Sequence, residues 1–324
     1  MASDDPSDDS TPAGATPGRP AGDTVGLTFA DAGIARPDLP PGAAIDLDGR
    51  GSLFVRDVPG PTLSAPTVVM LHGWTATADL NFYTCYRPLA DHYRVIAFDH
   101  RGHGLGLRSR RAFRLDDCAD DAVAVADALG VDTFIPFGYS MGGTIAQLLW
   151  QRHRERVDGL VLAATAPYFA GRRPERLSFV GLTGLAALAR YTPSQARGWI
   201  TDQVYLQRRN ESLGPWAGEQ IARHDWRMIL EAGKAIGSFS SSDWISQVDV
   251  PTSVIVTTDD AVVPVRRQVK LWRSIADAEV FRVYGPHDAV VTRADRFVPQ
   301  LLRAIDSIAA RNDRASARPL RADR

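Results

Sequence analysis

Ser140 stands in the segment Gly138-Tyr139-Ser140-Met141-Gly142, between an apolar run, Val131 to Phe137, and a helical pattern, Met141 to Trp150. A serine on so tight a strand-to-helix turn takes strained backbone angles. Glycines two before and two after it leave room for the crossing. The strain presents the hydroxyl at the carboxyl edge of a sheet, where it can act as a nucleophile. A serine hydroxyl attacks poorly at neutral pH, so it needs a histidine base and a group that orients the histidine.

Two later segments supply such groups. The run Val254 to Thr257 ends in Thr258-Asp259-Asp260, with Pro264 shortly after, which places a carboxylate in the loop at a strand's end. The run Ala278 to Tyr284 is followed by Gly285-Pro286-His287-Asp288, which places His287 beyond the next strand. In a parallel sheet these strand ends share one edge, so Ser140, Asp260 and His287 converge although distant in sequence. Asp259 is the alternative acid. Asp288, adjacent to the base, is poorly placed to reach its Nδ1 and is read as a surface or capping residue. The tetrahedral oxyanion also needs N–H donors, and the amide after the nucleophile, Met141, is one.

Positioning these groups requires a particular order of elements. Ala44 to Arg56 alternates apolar and polar residues around Asp48-Gly49, a hairpin pattern. Short apolar runs follow at Thr67 to Leu71, Tyr93 to Phe98, Thr133 to Phe137 and Val157 to Ala163. They suit strands buried on both faces. Helix-length segments lie between them, such as Leu115 to Leu129, with acids Asp116 and Asp117 in its first turn and Gly130 at its end. From Tyr168 to about Gln247 the strand pattern stops, and helices separated by Pro174, Gly181, Pro193, Gly214 and Pro215 are expected. Strand and helix alternation then returns. The expected fold is α/β, a mostly parallel eight-stranded sheet flanked by helices: core 43–167 and 248–310, a helical cap insert 168–247, and disordered tails 1–42 and 311–324.

The hairpin, the His72-Gly73 loop, the Asp99-His100-Arg101-Gly102-His103-Gly104 segment, the turn at Ser140 and the order Ser, Asp, His together resemble the α/β-hydrolase superfamily. The resemblance covers about residues 43 to 310. It implies that Ser140 is the nucleophile, Asp260 (four before Pro264) the acid and His287 the base, with Gly138 and Gly142 supporting the turn. It further implies that the Trp74 amide, in a His-Gly-x pattern after the third strand, is the second oxyanion donor, with His72 and Gly73 supporting that loop. Relatives with epoxide hydrolase or haloalkane dehalogenase activity carry an aspartate at the nucleophile position, and Ser140 argues against both. His100 and His103 resemble a metal pair without a third ligand nearby, so a structural turn is expected there.

The implied activity is hydrolysis of small or medium apolar carboxylic esters through an acyl-serine, with no cofactor and no metal. The same triad serves carbon–carbon bond, thioester or lactone hydrolysis, or cofactor-free haloperoxidase and perhydrolase chemistry, and these stay open alongside a noncatalytic binding module. Phe179 to Ala189, almost wholly apolar, is a candidate acyl-pocket lining, with burial against the core as the plainer reading.

The 324 residues are 44% hydrophobic and 23% charged, with 37 Lys+Arg against 38 Asp+Glu and net charge −1. This balance offers no global attraction for nucleic acid. No apolar stretch approaches a membrane span. Any partner must therefore be argued from the site, which implies a small-molecule, ester-like substrate and leaves the oligomeric state open. Six of the seven tryptophans, Trp150, Trp199, Trp216, Trp226, Trp244 and Trp272, lie in helical settings and are expected to pack. Two cysteines, Cys85 and Cys118, and an acidic N-terminus without a signal-peptide pattern suggest a cytoplasmic setting.

Overall fold

The computed structural model describes residues 36–170 and 214–316. The order is β1 (Ala43–Leu47), β2 (Gly51–Val58), β3 (Thr67–Leu71), α1 (Ala78–Phe82), α2 (Tyr86–Ala90), β4 (Arg94–Phe98), α3 (Leu115–Ala128), β5 (Ile135–Tyr139), α4 (Met141–Arg152) and β6 (Leu160–Ala163). After β6 come α5 (Gly214–Ala222), α6 (Trp226–Ser238), β7 (Thr252–Thr257), α7 (Val265–Ser274), β8 (Glu279–Val283), α8 (Ala289–Thr292) and α9 (Ala294–Ser316).

All eight strands form one sheet in the order β1-β2-β4-β3-β5-β6-β7-β8. Only the β1–β2 and β2–β4 pairings are antiparallel. The apolar runs explain the burial. In β3, Val68 and Met70 face one core with α1, α2 and α9, while Val69 and Leu71 face the other with α3, α4 and α6. Both faces of the strand are therefore apolar, and its sequence does not alternate. The chain passes from β3 to β4 on one side and returns to β5 on the other side of β3. That reversal opens a crevice at the carboxyl ends of β3 and β5, where ligands of open α/β sheets bind.

Several expected boundaries shift. The strand before Ser140 runs Ile135–Tyr139 rather than ending at Phe137, so Gly138 and Tyr139 belong to β5, while Met141 and Gly142 open α4 as expected. The turn is Ser140 alone. Gly214 and Pro215 stand in the first turn of α5. A proline is tolerated there because its N–H would have no intrahelical partner.

The tail expected from residue 311 is also corrected: α9 continues to Ser316. Arg311 donates to the carbonyls of Thr252 and Asp277, and Asn312 to that of Asp158. These bonds tie the helix end to the sheet. Residues 36–42 are coil, with Arg36 paired to Glu219. The reading of 1–35 and 317–324 as tails, the Phe179 to Ala189 segment and Trp199 lie outside the described residues. Within 168–247 the described residues from 214 onward are largely helical, and Tyr168 bridges Ser240.

Candidate active site

Ser140 has φ 55° and ψ −113°, a region a non-glycine residue occupies only when its surroundings enforce it. Three contacts do so. Its amide donates to the Ala163 carbonyl (2.9 Å), its carbonyl accepts from the Thr165 hydroxyl (2.8 Å), and α4 packs directly on the sheet through glycine. A Cβ on Gly142 would lie 1.8 Å from the Leu71 carbonyl oxygen, and one on Gly138 would lie 2.3 Å from the Gly142 oxygen. Although Ser140 is the N-cap of α4, its hydroxyl makes no capping bond. It faces His287 instead.

The His287 Nε2 lies 3.0 Å from Ser140 Oγ, and its Nδ1 lies 2.8 Å from Asp260 Oδ2. The Tyr139 hydroxyl donates to the His287 carbonyl and steadies its loop. Asp260, rather than Asp259, turns into the site, because the Val262 and Val263 amides both bond its Oδ1 (2.9 and 2.7 Å). Its Oδ2 also accepts from the Thr257 hydroxyl (2.7 Å) and the Gln268 amide (3.0 Å). Burial by itself pushes the Asp260 carboxyl up. The bond and attraction from His287, with the Val263 and Thr257 bonds, outweigh it and hold the group below the ordinary carboxylate range. The carboxylate is thus ionised where it meets the imidazole. The Asp288 carboxylate instead accepts from Thr292 (3.1 Å).

On the other wall, the Gly73 amide donates to Asn81 Oδ1 (2.7 Å). That bond occupies the Gly73 amide, and the next amide along the loop is that of Trp74. Met141 is the first residue of α4, and its N–H has no intrahelical acceptor. His72 braces this loop: its Nδ1 lies 2.8 Å from the Gly73 carbonyl, and its Nε2 accepts the His100 amide (2.9 Å). Burial, reinforced by His100 and His103, lowers His72 well below the ordinary histidine range, so it stays neutral. His100 and His103 pack against His72, with ring centroids 4.3 and 5.1 Å away. The buried Asp99 accepts the Ala78 and Leu105 amides (both 2.7 Å).

The sequence reading missed Asn81, Thr165, Thr257 and Gln268. All are single polar residues with no local motif, and their burial is the only signal that marks them. Trp216 and Trp226 are buried, Trp150 stacks on Trp244, and the Trp272 indole donates to the Ala278 carbonyl. Among the described residues, no helix is long and apolar enough to cross a membrane.

Comparison with known proteins agrees with this architecture. Residues 66–291 match the model of the alpha/beta hydrolase fold family. A relative from Agrobacterium fabrum, named for carbamate hydrolysis, is 24% identical over 246 residues, covering 74% of this chain and 92% of its own. The non-heme chloroperoxidase of Streptomyces lividans is 28% identical over 270 residues, covering 79% and 96%. The solved esterase from Exiguobacterium antarcticum superposes with a TM-score of 0.70 at 22% identity, covering 82% of this chain and all of its own. The last likeness bears on fold alone. The chain belongs to the α/β-hydrolase fold family.

Proposed function

We propose that this protein is a serine hydrolase that cleaves carboxylic esters of small or medium apolar acids through an acyl-serine intermediate. One observation carries the reading: a single imidazole lies within hydrogen-bond reach of both the Ser140 hydroxyl and an ionised, buried carboxylate. In the first step His287 Nε2 takes the Ser140 proton as Oγ attacks the ester carbonyl. Asp260 holds the ring with Nδ1–H toward itself and stabilises the imidazolium. The oxyanion is held by the Met141 and Trp74 amides, supported by the occupied Gly73 amide and by the position of Met141 at the helix start. His287 then protonates the departing alcohol. A water attacks the acyl-enzyme by the same route, with His287 as base, to release the acid.

The described residues of the expected insert, 168–170 and 214–247, form part of a cap over this edge, a reading supported by the pairing of Tyr168 with Ser240 and by the docking of α6. The Asp225 amide donates to the Gly102 carbonyl (2.8 Å), and the Trp74 indole N–H donates to Ile229. Cys85 and Cys118 are buried free thiols, which supports a reducing, cytoplasmic setting.

The test is a panel of nitrophenyl esters of increasing acyl length, together with fluorophosphonate labelling, on wild type and Ser140→Ala. Turnover and labelling that vanish in Ser140→Ala are expected, and labelling that persists in the variant removes Ser140 as nucleophile. A carbamate is the second substrate class, motivated by the relative named for that activity. A nitrophenyl carbamate in the same panel, turned over faster than every ester, would favour it.

A further inference from the structure

Gln268 lies in α7, outside the three reacting groups, and is fully buried. Packing does not require an amide there. Leu271 of the same helix enters the core cluster, with Val265 and Trp272 against it, and an aliphatic side chain at 268 would extend that surface. The polar atoms of Gln268 are instead directed at the loop that carries Asp260. Its Nε2 lies 3.0 Å from Asp260 Oδ2, 3.0 Å from Thr257 Oγ1 and 2.8 Å from the Val263 carbonyl. Its Oε1 accepts the Thr257 amide at 3.0 Å. One side chain therefore joins the last residue of β7, the acid, and the residue three beyond it.

The oxygen it reaches, Oδ2, is the one that faces His287 Nδ1. Oδ1 is held by two backbone amides, and Oδ2 by the Thr257 hydroxyl and Gln268. These four contacts fix the carboxylate's rotation and leave His287 Nδ1 the remaining direction of approach at Oδ2. A neutral amide does this without adding a positive charge that would compete with the imidazolium for the carboxylate.

We propose that Gln268 is a positioning residue for the reaction, one that orients the Asp260 carboxylate and, through it, the His287 base. The proposal rests on the reading of Asp260 as the orienting acid and Ser140 as the nucleophile.

Phosphonylation of Ser140 by a fluorophosphonate tests it, because that reaction needs an activated serine whatever the natural substrate is. The maximal inactivation rate and the half-saturating reagent concentration are measured for wild type, Gln268→Met, Asp260→Ala and the double variant, at matched folded fraction from circular dichroism. Loss of a hydrogen bond to a charged group predicts a maximal rate roughly 10- to 100-fold lower in Gln268→Met, with half-saturation within about twofold. In the Asp260→Ala background the same substitution should cost nothing further, since its route of action is already gone. An unchanged rate in Gln268→Met, or an equal loss in both backgrounds, overturns the proposal and leaves the triad untouched. An Asp260→Ala variant as fast as wild type, or a wild type that is not labelled, overturns the underlying reading and the proposal together. Should Gln268→Met not fold, Gln268→Asn, which keeps the amide but withdraws it by one methylene, carries the same expectations.

Discussion

The Trp74 indole N–H donates to the Ile229 carbonyl at 2.8 Å, joining the loop after β3 to α6 across 155 residues of sequence. Trp74 also packs beside Ile221, Trp226 and Ile229. The loop that carries a proposed oxyanion amide is thus anchored at three points, to Asn81 through Gly73, to the His100 amide through His72, and to α6 through the indole. Trp74→Phe keeps an aromatic ring and removes the donor. A stability loss of about 1 kcal/mol in urea denaturation is expected, with a severalfold lower kcat. An unchanged kcat would mean that the Asn81 and His72 anchors set the loop without the indole.

Asp260→Asn preserves shape but replaces an ionised acceptor that receives bonds from His287, Thr257, Gln268 and two backbone amides. Its amide would present an N–H to donors and favour the wrong imidazole tautomer. A fall in kcat of about 10³- to 10⁴-fold is expected on any turned-over ester, with KM little changed. A loss below tenfold would argue for Asp259 as the orienting acid.

Gly142→Ala would force a Cβ to within 1.8 Å of the Leu71 carbonyl oxygen, and the neighbour is backbone of the central strand. Neither partner can move without displacing β3 or α4, so a destabilisation of at least ~3 kcal/mol and loss of Ser140 labelling are expected. Gly218→Ala in α5 is the control. Its added Cβ meets nothing within 4 Å, and a stability gain of about 0.5–1 kcal/mol is expected from helix propensity. Comparable melting temperatures for the two variants would contradict this account of the turn.

Acid sensitivity follows from the histidines behind the site. Burial, with repulsion from neighbouring histidines, lowers His72 and His103 well below 6.5, and burial takes His100 to about 3. The unfolded chain binds these protons near pH 6.5 while the folded chain does not. Stability is therefore full above that pH and falls as pH drops toward the folded values, by up to ~1.4 kcal/mol per unit for each group. Asp99 works in the opposite sense. Burial raises it from 3.8 to about 6, so its contribution is lost above pH 6 and regained as pH falls to 3.8. Three histidines outweigh one carboxyl, and the melting temperature should decline from pH 6.5 to 4. His100→Leu should flatten that decline, and a wild-type melting temperature constant over this range would refute the balance.

The placement of Ser140 was legible because its signal is local. Two glycines and a serine between an apolar run and a helical pattern specify a turn whatever lies elsewhere. Asp260 was half legible: a strand ending in acids announces a carboxylate, but Asp259 and Asp260 differ only in which one the Val262 and Val263 amides capture. Asn81 and Gln268 left no trace, since a lone amide in a helical stretch looks the same in solvent as in a buried network. The end of α9 was misread because its arginines suggest a solvated tail, whereas Arg311 is held by carbonyls of β7 and of the turn before β8.

By itself, then, the sequence determined the strand runs, their order around the chain and the residue types able to react, since hydrophobic period and turn chemistry act over a few neighbouring positions. Only the tertiary structure decided that His287 Nε2 meets Ser140 Oγ at 3.0 Å across 147 residues, and which oxygen of Asp260 faces the ring. Those distances depend on the parallel register of β5 through β8 and on the packing of α7 beneath the acid loop. Both are cooperative properties of the whole sheet that no short segment encodes.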